Sequence, residues 1–342
     1  MIFTPLLISL LQPAQAAGFQ VRTMRAPLSA VEVERPLILG KGWLELSLGF
    51  DYKRTGGRQL FGILPEGGAW SADGAPVAWR DARWVYTTEH ADLRYGISKR
   101  ADLWVSVPFH YVHLANEVLG TDTGDFGLGE PRFGWTLEWF HHDASTTSIV
   151  TDLAYKAPAG NEAPGNYIGG PNTVTRFPMS TGTPDLSLDL RGKQQIGPLA
   201  LTGSVGFVYR FSGVSQFVVE TDQYQFAGRF QPGHELRGEF SPLVQVGPVA
   251  LVGDAIVRRR FVASVGTTSG GLNWNENLDP IPNSDGWSLD AGGGLIANVT
   301  RGFDVHAGVS IPVRGEDLNF FPLEDLTPTR GVTYSATVEL RY

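Results

Sequence analysis

From Leu44 to Tyr52 apolar and polar residues alternate. Leu44, Leu46, Leu48, Phe50 and Tyr52 fall on one parity, and Glu45, Ser47, Asp51 and then Lys53 on the other. A period of two sets these groups on opposite faces of a β-strand. One such strand fits a soluble sandwich as well as a membrane barrel. The same alternation recurs at 84–97, 102–114, 128–140, 147–157, 184–196, 199–211, 233–246, 249–262, 286–299, 303–314 and 331–342. It is cleanest at the end, where Val332, Tyr334, Ala336, Val338, Leu340 and Tyr342 alternate with Thr333, Ser335, Thr337, Glu339 and Arg341. Gly and Pro interrupt 233–246 and 249–262.

The connections between these segments alternate in length. Short links fall near 98–101, 141–146, 197–198, 247–248 and 300–302, and long ones near 55–83, 115–127, 158–183, 212–232, 263–285 and 315–330. A soluble sandwich has no reason to gather all its long loops at one end. Barrels inserted from the periplasm do so, with tight turns inside and long loops outside. The fold expected is therefore all-β: a transmembrane, antiparallel, up-and-down barrel of about twelve strands. Gly197-Pro198 and Gly247-Pro248 supply sharp turn chemistry at two of the short links. Pro108, Pro131, Pro242 and Pro312 lie within the expected strands. A proline cannot donate to the ladder, so each is expected at a bulge or a strand end.

Parity assigns the faces. Leu103, Val105, Val107, Phe109 and Tyr111, with Phe133, Trp135, Leu137 and Trp139, fall on the apolar side expected to meet lipid. Trp43, Trp139, Trp287 and Tyr342 lie near strand ends, where interfacial girdles favour amphipathic rings. Tyr342, ending an apolar-faced last strand, is the expected signal for the barrel-assembly machinery. The other parity gives the candidate lumen lining: Asp92, Arg94, His110, Arg132, Asp152, Asp189, Arg191, Arg210, Arg258, Asp290 and His306. Both signs are mixed, so two readings stay open: a self-paired network that fills the lumen, or a solute path lined with ligands.

The ends and the composition narrow the class. Ile2 to Leu11 is apolar, Pro13 follows, and Ala14-Gln15-Ala16 fits a signal-peptide cleavage site, although no Lys or Arg precedes it. Residues 1–16 are thus expected to be a signal peptide, 17–42 a periplasmic lead or lumen plug, and 43–342 the barrel. After residue 16 no run approaches the roughly 20 apolar residues of a membrane helix. The 342 residues include no cysteine, which suits export into an oxidising compartment. The net charge of −8, gathered in the long loops, argues against nucleic-acid binding. Glu316, Asp317, Glu324 and Asp325 cluster in one loop without EF-hand spacing. His141-His142 lacks the further ligand that a zinc site needs. His113 has outward parity but no matching outward Ser, so a lipid-face hydrolase ranks third among the functions. No metal, cofactor or catalytic set is expected.

Several short stretches resemble a family of outer-membrane transporters known as the meta-pathway phenol-degradation family. They are Ala91 to Ile97 followed by Asp102 to Phe109, then Gly127 to Trp135, Tyr155 to Gly160 and Ser180 to Leu190. Glu130 stands where the family has Asp, Ala159 where it tends to have Thr, and Ser180 at its first glycine. The resemblance implies a barrel linked to passage of small, often aromatic compounds, and carries no ligand set. The function expected is an outer-membrane channel for small solutes, aromatic or hydrophobic ones included. The alternative is a structural or surface-interaction barrel with a filled lumen. The partners expected are outer-membrane lipid, the assembly machinery and the solute.

Overall fold

The computed structural model describes residues 32–56, 83–116, 121–142, 147–158, 166–167, 182–218, 225–267, 278–280, 285–315 and 331–342. The expected signal peptide, the lead up to residue 31 and the acidic group Glu316 to Asp325 lie outside them.

The wall is a ring of antiparallel strands. In chain order it contains β1 (Leu44–Gly56), β2 (Arg83–Gly96), β3 (Ala101–Asn116), β4 (Thr121–Leu128), β5 (Arg132–His142) and β6 (Thr147–Lys156). A two-residue strand β7 (Asn166–Tyr167) lies outside the wall. The wall continues with β8 (Asp185–Ile196) and β9 (Leu199–Arg210). After β10 (Gly213–Val218) and β11 (Gln225–Gln231) come wall strands β12 (Glu235–Val246) and β13 (Val249–Arg260). After β14 (Ser264–Thr267) and β15 (Asp279–Pro280) come β16 (Gly286–Thr300), β17 (Phe303–Gly315) and β18 (Val332–Arg341). Every wall strand pairs with its neighbours, and β18 pairs with β1 along Arg341↔Glu45 to Val332↔Arg54, which closes the ring. A closed ring pairs the backbone groups of neighbouring strands, the condition for crossing a bilayer with strands.

β4 and β5 occupy one position in the ring. β3 pairs with β5 over Ala101 to Ser106 and with β4 over Phe109 to Asn116. The wall is therefore a closed twelve-strand barrel. This corrects the expected loop at 115–127, most of which is strand. The Thr121 to Gly127 stretch, rich in Asp, Thr and Gly, reads as a loop in sequence, but it pairs residue for residue with the upper end of β3. Gly129, Glu130 and Pro131 form the break, where Gly129 N donates to Pro108 O at 2.8 Å. Pro108 thus lies opposite Gly129 at this irregularity and Pro131 ends it, while Pro312 sits beside the register shift at Leu289/Asp290. Pro242 differs from expectation: it pairs with Leu201 in unbroken register and marks neither a bulge nor an end.

The other five strands form a second sheet in the order β15-β14-β11-β10-β7. They come from 158–183, 212–232 and 263–285, which the sequence pattern gave as plain loops. These strands pair with one another rather than with the wall, so no lipid face imposes a readable alternation on them.

The outer surface is apolar. Leu103, Phe133, Trp135, Leu188, Leu251 and Leu295 are among the large side chains left exposed there. Trp139 and Phe140 both face out, because the β5–β6 ladder shifts register between Glu138 and Phe140. Most of the deeply buried side chains are instead charged or polar and point inward, including Asp102, Glu138, Lys156, Asp189, Arg210, Arg260 and Asp304. A chain that covers itself in leucine and buries arginine is built for an apolar surrounding.

Candidate functional site

The inward face is organised in rungs, because residues paired across the ladders carry their side chains to the same side. One rung runs Lys156↔Asp185↔Arg210 over β6, β8 and β9, alternating in sign. Lys156 Nζ lies 2.9 Å from Asp185 Oδ2 and 2.6 Å from Glu130 Oε2. Arg210 reaches Glu235 at 3.3 Å, and Arg260 reaches the same Glu235 oxygen at 3.2 Å.

Another rung runs Asp152↔Asp189↔Gly206↔Arg237. Asp189 and Arg237 lie two strands apart, yet Arg237 grips Asp189 with two bonds of 2.7 and 2.5 Å. The glycine between them makes this possible. A Cβ on Gly206 would stand 1.7 Å from Asp189 Oδ1. Bidentate guanidinium–carboxylate pairing of this kind is stronger and more directional than a neutral hydrogen bond. Gly49 beneath the His90 ring, Gly134 beneath Trp104 and Gly292 beneath Asp254 do the same for other inward side chains. Each lays a long or planar group against the wall instead of across the lumen.

The sequence-derived lumen set is distributed as follows. Arg191 pairs with Asp152 at 2.8 Å, and Arg258 with Asp290 at 2.6 Å. His110 Nδ1 lies 3.1 Å from Thr88 Oγ1. Asp92 is 3.5 Å from His90. Arg132 is exposed within the interior and makes no ion pair among the described residues. His306 Nε2 is buried without a hydrogen-bond partner. Outside this set, Tyr342 exchanges backbone bonds of 2.8 Å with Leu44 and seals the first strand to the last.

Residues 32–43 occupy the end of the interior where the short turns lie. A 3-10 turn, Glu32–Glu34, leads into Arg35, whose side chain enters an acidic cage. Arg35 meets Asp304 at 2.5 Å, Glu339 at 3.7 Å and Glu32. Lys193 donates to Arg35 O at 2.7 Å. Arg94 donates to Leu37 O at 2.5 Å and pairs with Asp102 at 2.6 Å, while Asp102 also accepts Leu39 N at 2.9 Å. Val33, Ile38 and Leu39 are buried. Gly42 N then donates to Gly96 O at 2.7 Å, tying the segment to the end of β2. Asp102 and Arg260 are among the interior residues that the alternation does not single out, each lying at the end of its segment, and Arg35 lies before any alternating segment.

Above this segment two cavities are lined by the described residues of the interior. One, of about 420 Å³, lies along β13, β16, β17, β18 and β1, and includes Asp51, Asp254, Asp290 and His306 in its lining. The other, of about 290 Å³, lies toward the long-loop end and includes Arg132, Lys156, Arg210, Arg237 and Arg260. Lys53 and Arg258 border both. No group of three or more metal-ligating side chains occurs among the described residues. His113 stacks beside Tyr111, ring centroids 6.3 Å apart. His141 lies 3.3 Å from Glu138.

No family model matches the chain, and no curated protein matches it. The resemblance to the meta-pathway phenol-degradation family therefore stands on its short motifs alone. Among solved structures, the translocator domain of the autotransporter NalP from Neisseria meningitidis is similar at 10% identity and a TM-score of 0.44, over 89% of this chain and 88% of that one. The transport unit of the autotransporter AIDA-I from Escherichia coli gives 9% and 0.44, over 98% and 96%. A deletion mutant of the monoaromatic hydrocarbon channel TodX gives 8% and 0.42, over 93% of each chain. Likenesses this distant leave the site to be read from its own residues.

Proposed function

We propose that this protein is an outer-membrane channel for small polar solutes, closed on its periplasmic side by residues 32–43. The observation that carries the reading is the division of the interior. The interior above residues 32–43 holds cavities bordered by charged side chains, and the short-turn end is occupied by that segment of the chain's own N-terminal region. By the usual sidedness of such barrels the short turns face the periplasm. The apolar belt would sit in lipid, and Tyr342 would serve assembly. The extension to aromatic or hydrophobic solutes rests on the sequence resemblance, whereas the charges in the interior favour polar ones.

The test is solute uptake by liposomes carrying the purified protein, with a small sugar as the probe. Deleting residues 18–40 should raise uptake well above that of the full chain. Absence of flux in both proteins would remove the channel reading. It would favour a second one, a filled structural barrel, which draws its support from the extent of self-pairing among the interior charges.

A further inference from the structure

The cavity at the long-loop end differs from the rest of the interior in the sign of its walls. Arg132, Lys156, Arg210, Arg237, Arg258 and Arg260 border it together with Lys53, against only two carboxylates, Asp185 and Glu235. Three of these cations have an acidic partner other than those two: Lys156 pairs with Glu130, Arg237 with Asp189 and Arg258 with Asp290. None of those three acids borders the cavity. The pairs are oriented with their cationic members toward the space and their carboxylates away from it. Pairing lowers the net charge of the region but leaves donors on the cavity wall. Asp185 and Glu235 do not reverse this, because each is shared. Asp185 lies between Lys156 and Arg210, and Glu235 between Arg210 and Arg260.

Two guanidiniums have bonding capacity left over. Arg132 makes no ion pair among the described residues. Arg210 is more than nine-tenths buried, and its Nη1 has no hydrogen-bond partner. A guanidinium presents five donors in a planar fork that matches an oxyanion. Enclosure strengthens the attraction by lowering the local dielectric.

We propose that this cavity is a binding site for a small oxyanion, an organic carboxylate or inorganic phosphate, held by Arg132 and Arg210 with Arg237 and Arg258 beside them. About 290 Å³ takes a compact anion and no polymer. The proposal deepens the channel reading and rests on the interior being reachable from the long-loop end. It makes the site a station on the solute path that favours anions over neutral molecules of equal size, as rings of like charge do elsewhere.

Equilibrium dialysis of the detergent-solubilised full chain tests this without requiring an open pore. Radiolabelled succinate and inorganic phosphate serve as the two probes at low ionic strength. Saturable binding of either one supports the site, and the ratio of the two affinities separates a carboxylate from a phosphate ligand. Arg132→Gln should weaken the favoured probe by about tenfold, the loss expected for one charge-assisted contact. Arg132 holds no carboxylate in place, so this variant should fold as the wild type does. Arg210→Gln should weaken binding further and is scored only where it keeps the heat-resistant electrophoretic mobility of a folded barrel. Failure of both probes to bind the wild type would overturn the proposal, as would binding unchanged by Arg132→Gln. Binding without liposome flux would keep this site and remove the channel.

Discussion

Replacing Arg35 with alanine should open the short-turn end of the barrel. The side chains of Arg35 and Asp304 are almost wholly withdrawn from water, at 3% and 0% exposure, and lie 2.5 Å apart. Removing one member of a buried pair costs about 3–5 kcal/mol, because its partner is left charged and unsolvated. Arg341 remains 3.9 Å from Asp304 and in contact with Glu339, so the lower end of that range applies. A loss of about 3 kcal/mol changes the ratio of docked to undocked segment by roughly a hundredfold. Docking has little margin against such a change. Burial of Val33, Ile38 and Leu39 contributes roughly 1.5–3 kcal/mol each, against an ordering cost of about 1–2 kcal/mol for every residue fixed. The ion pairs and the bonds to Lys193, Arg94 and Asp102 must supply the difference. Single-channel recording in planar bilayers should show the wild type mostly closed, with Arg35→Ala open for a much larger fraction of the time. Equal open fractions in the two folded proteins would refute the account of what holds the segment.

Gly96→Ala should also open the channel, with no change in charge, because the added Cβ would stand 1.7 Å from the Gly40 carbonyl oxygen; the open fraction in the same recording checks it. Gly206→Val should push Asp189 off its seat and loosen its grip on Arg237, at a cost of about 1–3 kcal/mol read as a lower midpoint in urea unfolding from lipid. For sidedness, a cysteine in place of Val262 should react with an impermeant maleimide on intact cells and one in place of Pro198 should not; the reverse pattern would invert the barrel. Tyr342→Asp should slow insertion more than it weakens the finished barrel, since an acidic residue near the interface costs only about 1 kcal/mol or less, and pulse-chase assembly would show the delay.

The wall was legible in the sequence because two solvents press on it. Lipid demands apolar side chains on one parity and the interior tolerates charge on the other, so each wall strand carried its own label, from Leu44, Leu46 and Leu48 to Val338 and Leu340. Where that pressure stops, the legibility stops. β10, β11 and β14 pair only with other strands outside the wall and carry no such label. β4 was missed for a related reason: its first five residues, Thr121 to Asp125, include no large apolar residue and so show no alternation. Residues 32–43 take their shape from contacts with β2, β3, β8, β17 and β18, and nothing local in Glu32 to Gly42 announces those partners.

The interior charges illustrate a different limit. Parity sets which side Asp189 and Arg237 face, but their pairing depends on register through an intervening strand and on the glycine it carries. In sequence they are separated by 48 positions, and Gly206 between them looks like any other strand glycine. Gly49, Gly134 and Gly292 each have a side chain lying over them, in His90, Trp104 and Asp254. Side chains held flat in this way take up less of the interior. Had those positions carried bulkier residues, His90, Trp104, Asp189 and Asp254 would have to project further inward. The glycines of the inner face therefore count toward the proposed path rather than toward the alternative of a filled, purely structural interior, and on that proposal residues 32–43 are the removable obstruction.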